Sequence, residues 1–237
     1  MELTKEQLFK NINLVREKIK ESCLKSGRGE NCAKLVGVTK TKPAELLRWA
    51  CEYGLCTFGE NRVQEFLKKW EELQGLPIEW HFIGYLQTNK VKYIVDKVVL
   101  IHSVDRPSLV DELQKRVSKK GIEKLPILVE VNVGGEETKA GVEPSKVEEL
   151  LEYILKNAPN LEVKGLMTVP PYRENLEEVR PYFRQLRELR DQLEERLGIK
   201  LPELSMGMSH DFTVAIEEGA TIVRVGRAIF GERNYQK

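Results

Sequence analysis

The sequence predicts a (β/α)8 barrel, the TIM barrel, and three observations point to it. Short apolar runs alternate with helical periodicities eight times along the 237 residues. The runs are continuously apolar rather than alternating, as expected of parallel strands covered on both faces. The length lies near the roughly 250 residues typical of such barrels, and no linker, low-complexity tract or repeat divides it. One domain spanning residues 1–237 is therefore expected. The competing architecture, an open doubly wound sheet, would need a Gly-x-Gly-x-x-Gly fingerprint, and none follows any run.

Taken in order, Thr4-Lys5-Glu6-Gln7 reads as a capping box, with Leu3 and Leu8 as its hydrophobic staple. Leu8, Ile12, Val15 and Ile19 recur at helical spacing, and Gly27 ends that first helix. The first strand runs from Lys34 to Thr39 and delivers Lys40; a helix follows from Pro43 to Tyr53. Cys56 to Glu60 is the second strand, followed by a helix from Arg62 to Leu73. Ile78 to Ile83 is the third, followed by a short helix from Asn89 to Val95. Val98 to Ser103 is the fourth, and Pro107 opens a helix ending near Gly121.

Pro126 to Val133 is the fifth and clearest strand; its loop, Gly134 to Gly141, leads to a helix starting near Pro144. Leu161 to Val169 is the sixth, stopped by Pro170-Pro171. A long charged helix then reaches Leu197, its buried stripe marked by Leu186, Leu189 and Leu193. Pro181 either kinks it or sits in its first turn, and its Arg and Glu residues read as a solvated face. Leu204 to Met206 is the seventh strand, with Ser209 or Asp211 capping a helix to Glu218. Ala220 to Val225 is the eighth, and Gly226 to Phe230 begins a last helix.

Hydrophobic residues make up 41% and charged residues 32%, a globular and salt-rich composition. Lys+Arg at 38 against Asp+Glu at 37 leaves a net charge of +1, without the basic excess that nucleic-acid or anionic-membrane partners require. No signal pattern opens the chain, and no apolar run approaches the roughly 20 residues that span a bilayer. A cytoplasmic protein is expected. Cys23, Cys32, Cys51 and Cys56 lack CxxC spacing, so zinc is disfavoured and free thiols are expected in a reducing compartment. No exposed apolar stripe argues for assembly, so a monomer is expected.

Barrel active sites lie at the C-terminal strand ends. The residues there are Lys40, Glu60-Asn61, His81 with Tyr85, Ser103, Asn132, Met167-Thr168, Ser205, and Arg224 with Gly226. Each alone reads equally as a turn former or packing residue. A lysine ending a buried strand has its charged form disfavoured and becomes a nucleophile toward carbonyls; as a bare stretch, Lys40 and Lys42 also read as solvated loop lysines. Barrels often hold a phosphate in the loops after strands seven and eight. There Ser205 offers a hydroxyl, and Arg224-Val-Gly226-Arg227 offers backbone N–H groups at a helix start. An amine facing a phosphate cradle suggests an aldehyde carrying a phosphate, and pyridoxal phosphate fits.

VGVTKTKP (36–43), FGENRVQE (58–65), EWHFIGYLQTNK (79–90), IHSVD (101–105), GLMTVPP (165–171), LSMGMSHDF (204–212) and VRVGRAIFG (223–231) closely resemble the pyridoxal phosphate homeostasis proteins. The resemblance covers nearly the whole chain in order. It implies a fold-type III pyridoxal phosphate barrel similar to the N-terminal domain of alanine racemase. It implies Lys40 as the lysine of the Schiff base (the aldimine), Arg224 facing the pyridine nitrogen and Asn61 beside the cofactor. It further implies phosphate contacts from Ser205, Gly226 and the following position. That position is often Thr or Ser in the family and is Arg227 here, which matters only if a hydroxyl rather than a backbone N–H makes the contact.

Arginine cannot accept a proton, so a pyridine nitrogen facing Arg224 stays unprotonated and the electron sink is weakened. A racemase also needs a second acid–base group on the opposite ligand face; Tyr85 or His81 are the candidates, and the chain stops at Lys237 directly after the barrel. The favoured expectation is a non-enzymatic carrier that holds pyridoxal phosphate reversibly and buffers it or delivers it to dependent apoenzymes. The alternative is a single-domain amino-acid racemase. A more distant third is an aldolase-like barrel using Lys40 on a sugar phosphate.

Overall fold

The computed structural model describes residues 2–232. Eight parallel strands close into a barrel in the order β1 to β8, each paired with the next and β1 with β8. The strands are β1 (Lys34–Val38), β2 (Thr57–Glu60), β3 (Glu79–Phe82), β4 (Leu100–Val104), β5 (Leu125–Glu130), β6 (Leu161–Met167), β7 (Glu203–Ser205) and β8 (Ile222–Val225). Around them stand α1 (Lys5–Lys25), α2 (Ala44–Glu52), α3 (Val63–Glu72), α4 (Pro107–Lys119), α5 (Val147–Asn157), α6 (Leu176–Leu197), α7 (Phe212–Glu217) and α8 (Arg227–Phe230). The Lys237 terminus, used above against a second domain, lies outside the described residues.

The Thr4 capping box forms as expected: Thr4 Oγ1 accepts from the Gln7 N–H at 3.2 Å, and Gln7 Oε1 accepts from the Thr4 N–H at 3.1 Å. Leu8, Ile12, Val15 and Ile19 are buried, and α1 packs across α7, α8 and α2. Two apolar regions result. The larger lies between strands and helices and holds fully buried Phe58, Phe66, Phe183 and Leu109; each such side chain contributes about 1.5–3 kcal/mol. The smaller takes Val36, Leu100, Leu128, Met167 and Ile222 from five different strands and fills the barrel. Strand side chains alternate faces, so Val38 and Lys40 follow Val36 inward, and Arg224 and Gly226 follow Ile222. The site is thus an extension of the inner layer.

Several expectations are corrected. The four cysteines are not free thiols. The turn through Gly27 and Gly29 joins Cys23 to Cys32, and the turn at Gly54 joins Cys51 to Cys56; spacing along the chain carries no such geometry. The segment expected as a short α-helix over 89–95 is a 3₁₀ helix, Thr88–Tyr93. The fifth strand ends at Glu130. Beyond it Val131 bridges Val142, and the Asn132 side chain donates to the carbonyls of Glu136 and Lys139, closing the loop on itself. Pro181 lies inside α6, past its first turn. Nor is the charged face of α6 merely solvated. Arg180, Arg184 and Arg187 converge at 3.1, 3.1 and 3.2 Å on buried Glu218. Burial raises that carboxyl's pKa, and the arginines more than offset it, leaving it below the usual range.

Candidate functional site

A cavity of about 520 Å³ opens at the C-terminal end of the barrel, within the range of small-molecule sites. Its wall takes Val38 and Lys40 from the end of β1, Val169 and Pro170 after β6, Met208 and Ser209 after β7, and Arg224, Gly226 and Arg227 from the end of β8. Of the residues singled out from sequence, Lys40, Arg224, Gly226 and Arg227 therefore meet in one space. Lys40 also borders a second cavity, of about 830 Å³, in which Asn61 lies. Asn61 is thus beside the lysine on its other flank. Its Oδ1 is buried without a hydrogen-bond partner, and its backbone presses against Gly84, where any Cβ would come within 2.2 Å of the Asn61 carbonyl oxygen.

Arg224 is almost wholly buried and borders the cavity. It donates from Nη1 to Ser205 Oγ at 2.7 Å and from Nη2 to the Thr168 carbonyl at 2.9 Å. Thr168 is fixed in turn, its hydroxyl donating to the Val131 carbonyl at 2.6 Å. Burial lowers the Arg224 pKa to about 10, against the opposing charges of Glu130 and Asp211, so the guanidinium stays cationic at neutral pH. Burial and the like charge of Asp105 raise Glu130 to about 7, with Arg224 opposing.

Ser205 is placed otherwise than expected. It is fully buried and absent from the cavity wall; its hydroxyl is taken by Arg224 and by His102 Nδ1 at 2.9 Å. His102 Nε2 meets His81 Nδ1 at 2.8 Å. This chain crosses the barrel with both rings neutral, whichever way its protons run. Burial pushes His81 down to about 4, assisted by the Lys34 charge, and lowers His102 further below its ordinary value, assisted by His81 and Arg224.

The serine on the cavity wall is Ser209, whose Oγ accepts from the Ala228 N–H at 3.1 Å. It serves α8 rather than capping α7, as expected from sequence. Within α8 the Ile229 and Phe230 N–H groups donate to the Gly226 carbonyl, so the Ser209 hydroxyl and the Arg227 N–H are what the start of this helix offers where β8 ends. Gly226 permits this closure: a Cβ there would come within 3.2 Å of the Val38 carbonyl oxygen. His210 also lines the cavity, its ring 5.0 Å from that of Tyr172, and its Nε2–H donates to the Arg173 carbonyl at 2.9 Å.

Neither sequence candidate for a second acid–base group reaches this cavity. His81 is locked in the interior, and Tyr85 lies along the second cavity beneath the Arg106 guanidinium, 4.5 Å from its ring centroid. Sequence reasoning also missed a buried ion pair below Lys40. Lys69 on α3 meets Glu60 at 2.6 Å, both almost wholly buried. Burial raises the Glu60 carboxyl above its ordinary pKa, with Lys69 and Thr39 opposing. The available signal was a cation on an apolar stripe: Lys69 stands three residues after Phe66 and four before Leu73.

Residues 6–234 match the family described as alanine racemase, N-terminal domain, which defines the class of barrel. A pyridoxal phosphate homeostasis protein from Aquifex aeolicus is 62% identical over 94% of this chain and 97% of its own length. The structure of PipY from Synechococcus elongatus with pyridoxal phosphate bound superposes with a TM-score of 0.83 at 32% identity, covering 95% of this chain and all of that one. An alanine racemase from Clostridium difficile shares the fold at 16% identity and a TM-score of 0.74, but this chain spans only 58% of it. The chain belongs to the pyridoxal phosphate homeostasis proteins.

Proposed function

We propose that this chain is a fold-type III pyridoxal phosphate barrel that holds the cofactor reversibly and buffers or delivers it. The observation carrying this reading is the meeting of one lysine, one buried arginine and a hydroxyl-plus-backbone anion cradle around a single cavity. When bound, pyridoxal phosphate supplies an aldehyde that condenses with amines and a ring that withdraws electrons. Lys40 provides the amine. Ser209 and Arg227 would hold the phosphate through a hydroxyl and a backbone N–H, so Arg227 can serve although it lacks a hydroxyl. Arg224, a donor-only cation, would keep a pyridine nitrogen set against it unprotonated. Ser205 acts behind Arg224, holding it in place, while Asn61 borders Lys40 on the side away from the phosphate.

A weakened electron sink and the exclusion of His81 and Tyr85 from the cavity favour storage over amino-acid turnover. The reading includes action as a monomer that hands the cofactor to dependent apoenzymes. The test joins two measurements. Borohydride reduction of the loaded protein followed by peptide mapping is expected to place the pyridoxyl label on Lys40. Incubation with single enantiomers of amino acids is expected to leave chirality unchanged. Label elsewhere would defeat the site assignment, and steady racemisation would defeat the carrier reading.

A further inference from the structure

Lys40 sits in a β-turn closed by the Lys42 N–H, which donates to the Thr39 carbonyl at 3.0 Å. Thr41, directly after it, has φ 68°, the only positive φ outside glycine among the described residues. A β-branched side chain disfavours that conformation, and glycine would have relaxed it. Strained backbone persists where its surroundings over-determine it, and here the surroundings are two side chains one turn apart on α3. The Thr41 N–H donates to both carboxylate oxygens of Glu65, at 2.5 and 3.3 Å. The Thr39 carbonyl accepts from Lys69 Nζ at 2.5 Å. These are the two peptide groups on either side of the Lys40 Cα.

The clamp is internally braced. Lys69 pairs with Glu60 at 2.6 Å and with Glu65 at 3.6 Å, and Glu60 Oε1 also accepts the Thr39 hydroxyl at 2.5 Å. The Lys42 N–H closes the turn between β1 and α2 by itself; Glu65 and Lys69 add a hold from α3 on each peptide flanking Lys40. What the arrangement fixes is the direction in which the Lys40 side chain leaves the backbone.

We propose that Glu65 and Lys69 are positioning residues for Lys40, aiming its amine at the cavity it shares with Arg224 and Ser209. The inference rests on Lys40 being the amine that takes the cofactor carbonyl. Its mechanism is orientation: a reactive group held in line reacts faster and more selectively than one that swings.

The test compares Glu65→Gln with Glu65→Asp. Glutamine keeps an acceptor within reach of the Thr41 N–H but loses the charge; aspartate keeps the charge but falls short of the N–H. Each folded protein, checked by circular dichroism and urea midpoint, is exposed to pyridoxal phosphate, reduced with borohydride and mapped by mass spectrometry. The readout is the partition of label between Lys40 and Lys42. Positioning predicts that Glu65→Gln keeps near-native selectivity while Glu65→Asp loses it by about tenfold or more. A contribution through charge alone predicts the reverse order, and that order, or native selectivity in both variants, overturns the proposal. Native protein unlabelled at Lys40 would instead overturn the reading of Lys40 itself, and this inference with it.

Discussion

The two sides of the cavity are held by opposite means. On the β1–β2 side a buried lysine and two carboxylates grip the backbone around Lys40. On the β7–β8 side a buried cation, Arg224, is held by neutral partners: a hydroxyl, a carbonyl and, behind them, two uncharged imidazoles. The difference follows from the task. Backbone polar groups next to a strained residue need strong, charge-assisted bonds. A guanidinium hydrogen-bonded only to neutral partners keeps its charge available to the cavity it borders.

The ionic side should break hardest. Lys69→Met leaves Glu60 buried and uncompensated, and such a loss costs about 3–5 kcal/mol. Urea unfolding should show it, and the double variant Glu60→Gln/Lys69→Met should recover most of the deficit. Equal losses in the single and double variants would mean the charges themselves do not matter there.

Acidity sharpens the contrast on the neutral side. Folded His81, lowered from 6.5 to about 4, binds fewer protons than when unfolded. Its contribution is therefore present above pH 6.5 and lost as pH falls toward 4. Glu130, raised from 4.5 to about 7, does the opposite: its contribution is present below pH 4.5 and lost as pH rises through 7. Each displacement corresponds to on the order of 3 kcal/mol, so the two oppose between pH 5 and 6.5. Glu130→Gln removes one of them, and its urea midpoint should fall more steeply than the native one from pH 6.5 to 5. Parallel slopes would show that the Glu130 carboxyl is not held above its ordinary pKa.

The smallest effect concerns the cradle. Ser209→Ala removes one hydroxyl contact to an ionised phosphate, worth about 1.5–3 kcal/mol, so pyridoxal phosphate should bind more weakly by about tenfold or more. Pyridoxal, which lacks the phosphate, should bind as before in an absorbance titration. Equal weakening of both ligands would place Ser209 away from the phosphate.

The barrel was legible because buried parallel strands announce themselves as apolar runs, and Lys40 and Arg224 because they interrupt or end such runs. Strand ends shifted where the pattern outlasted the pairing, as after Glu130. Sequence shows that a hydroxyl is near a strand end but not which way it faces, so it does not tell that Ser205 is buried and Ser209 lines the cavity. Ser205 points into the barrel, and Ser209, two residues past Gly207, reaches the neighbouring helix. His102 was read as one letter of a strand, since its partners come from β3 and β7. Glu65 was unremarkable as a charged residue in a helix, its role visible only once Thr41 adopts its bend.

The pairing of β1 with β8 carries a consequence for synthesis. Lys34 to Gly37 align with Ile222 to Val225, almost the full described length away. The strand bearing the amine leaves the ribosome well before its neighbour, which carries Arg224. Contacts so distant in sequence form late and slowly. A growing chain therefore carries its lysine before the wall supplied by β8 stands beside it, and closure of the cavity waits for that strand.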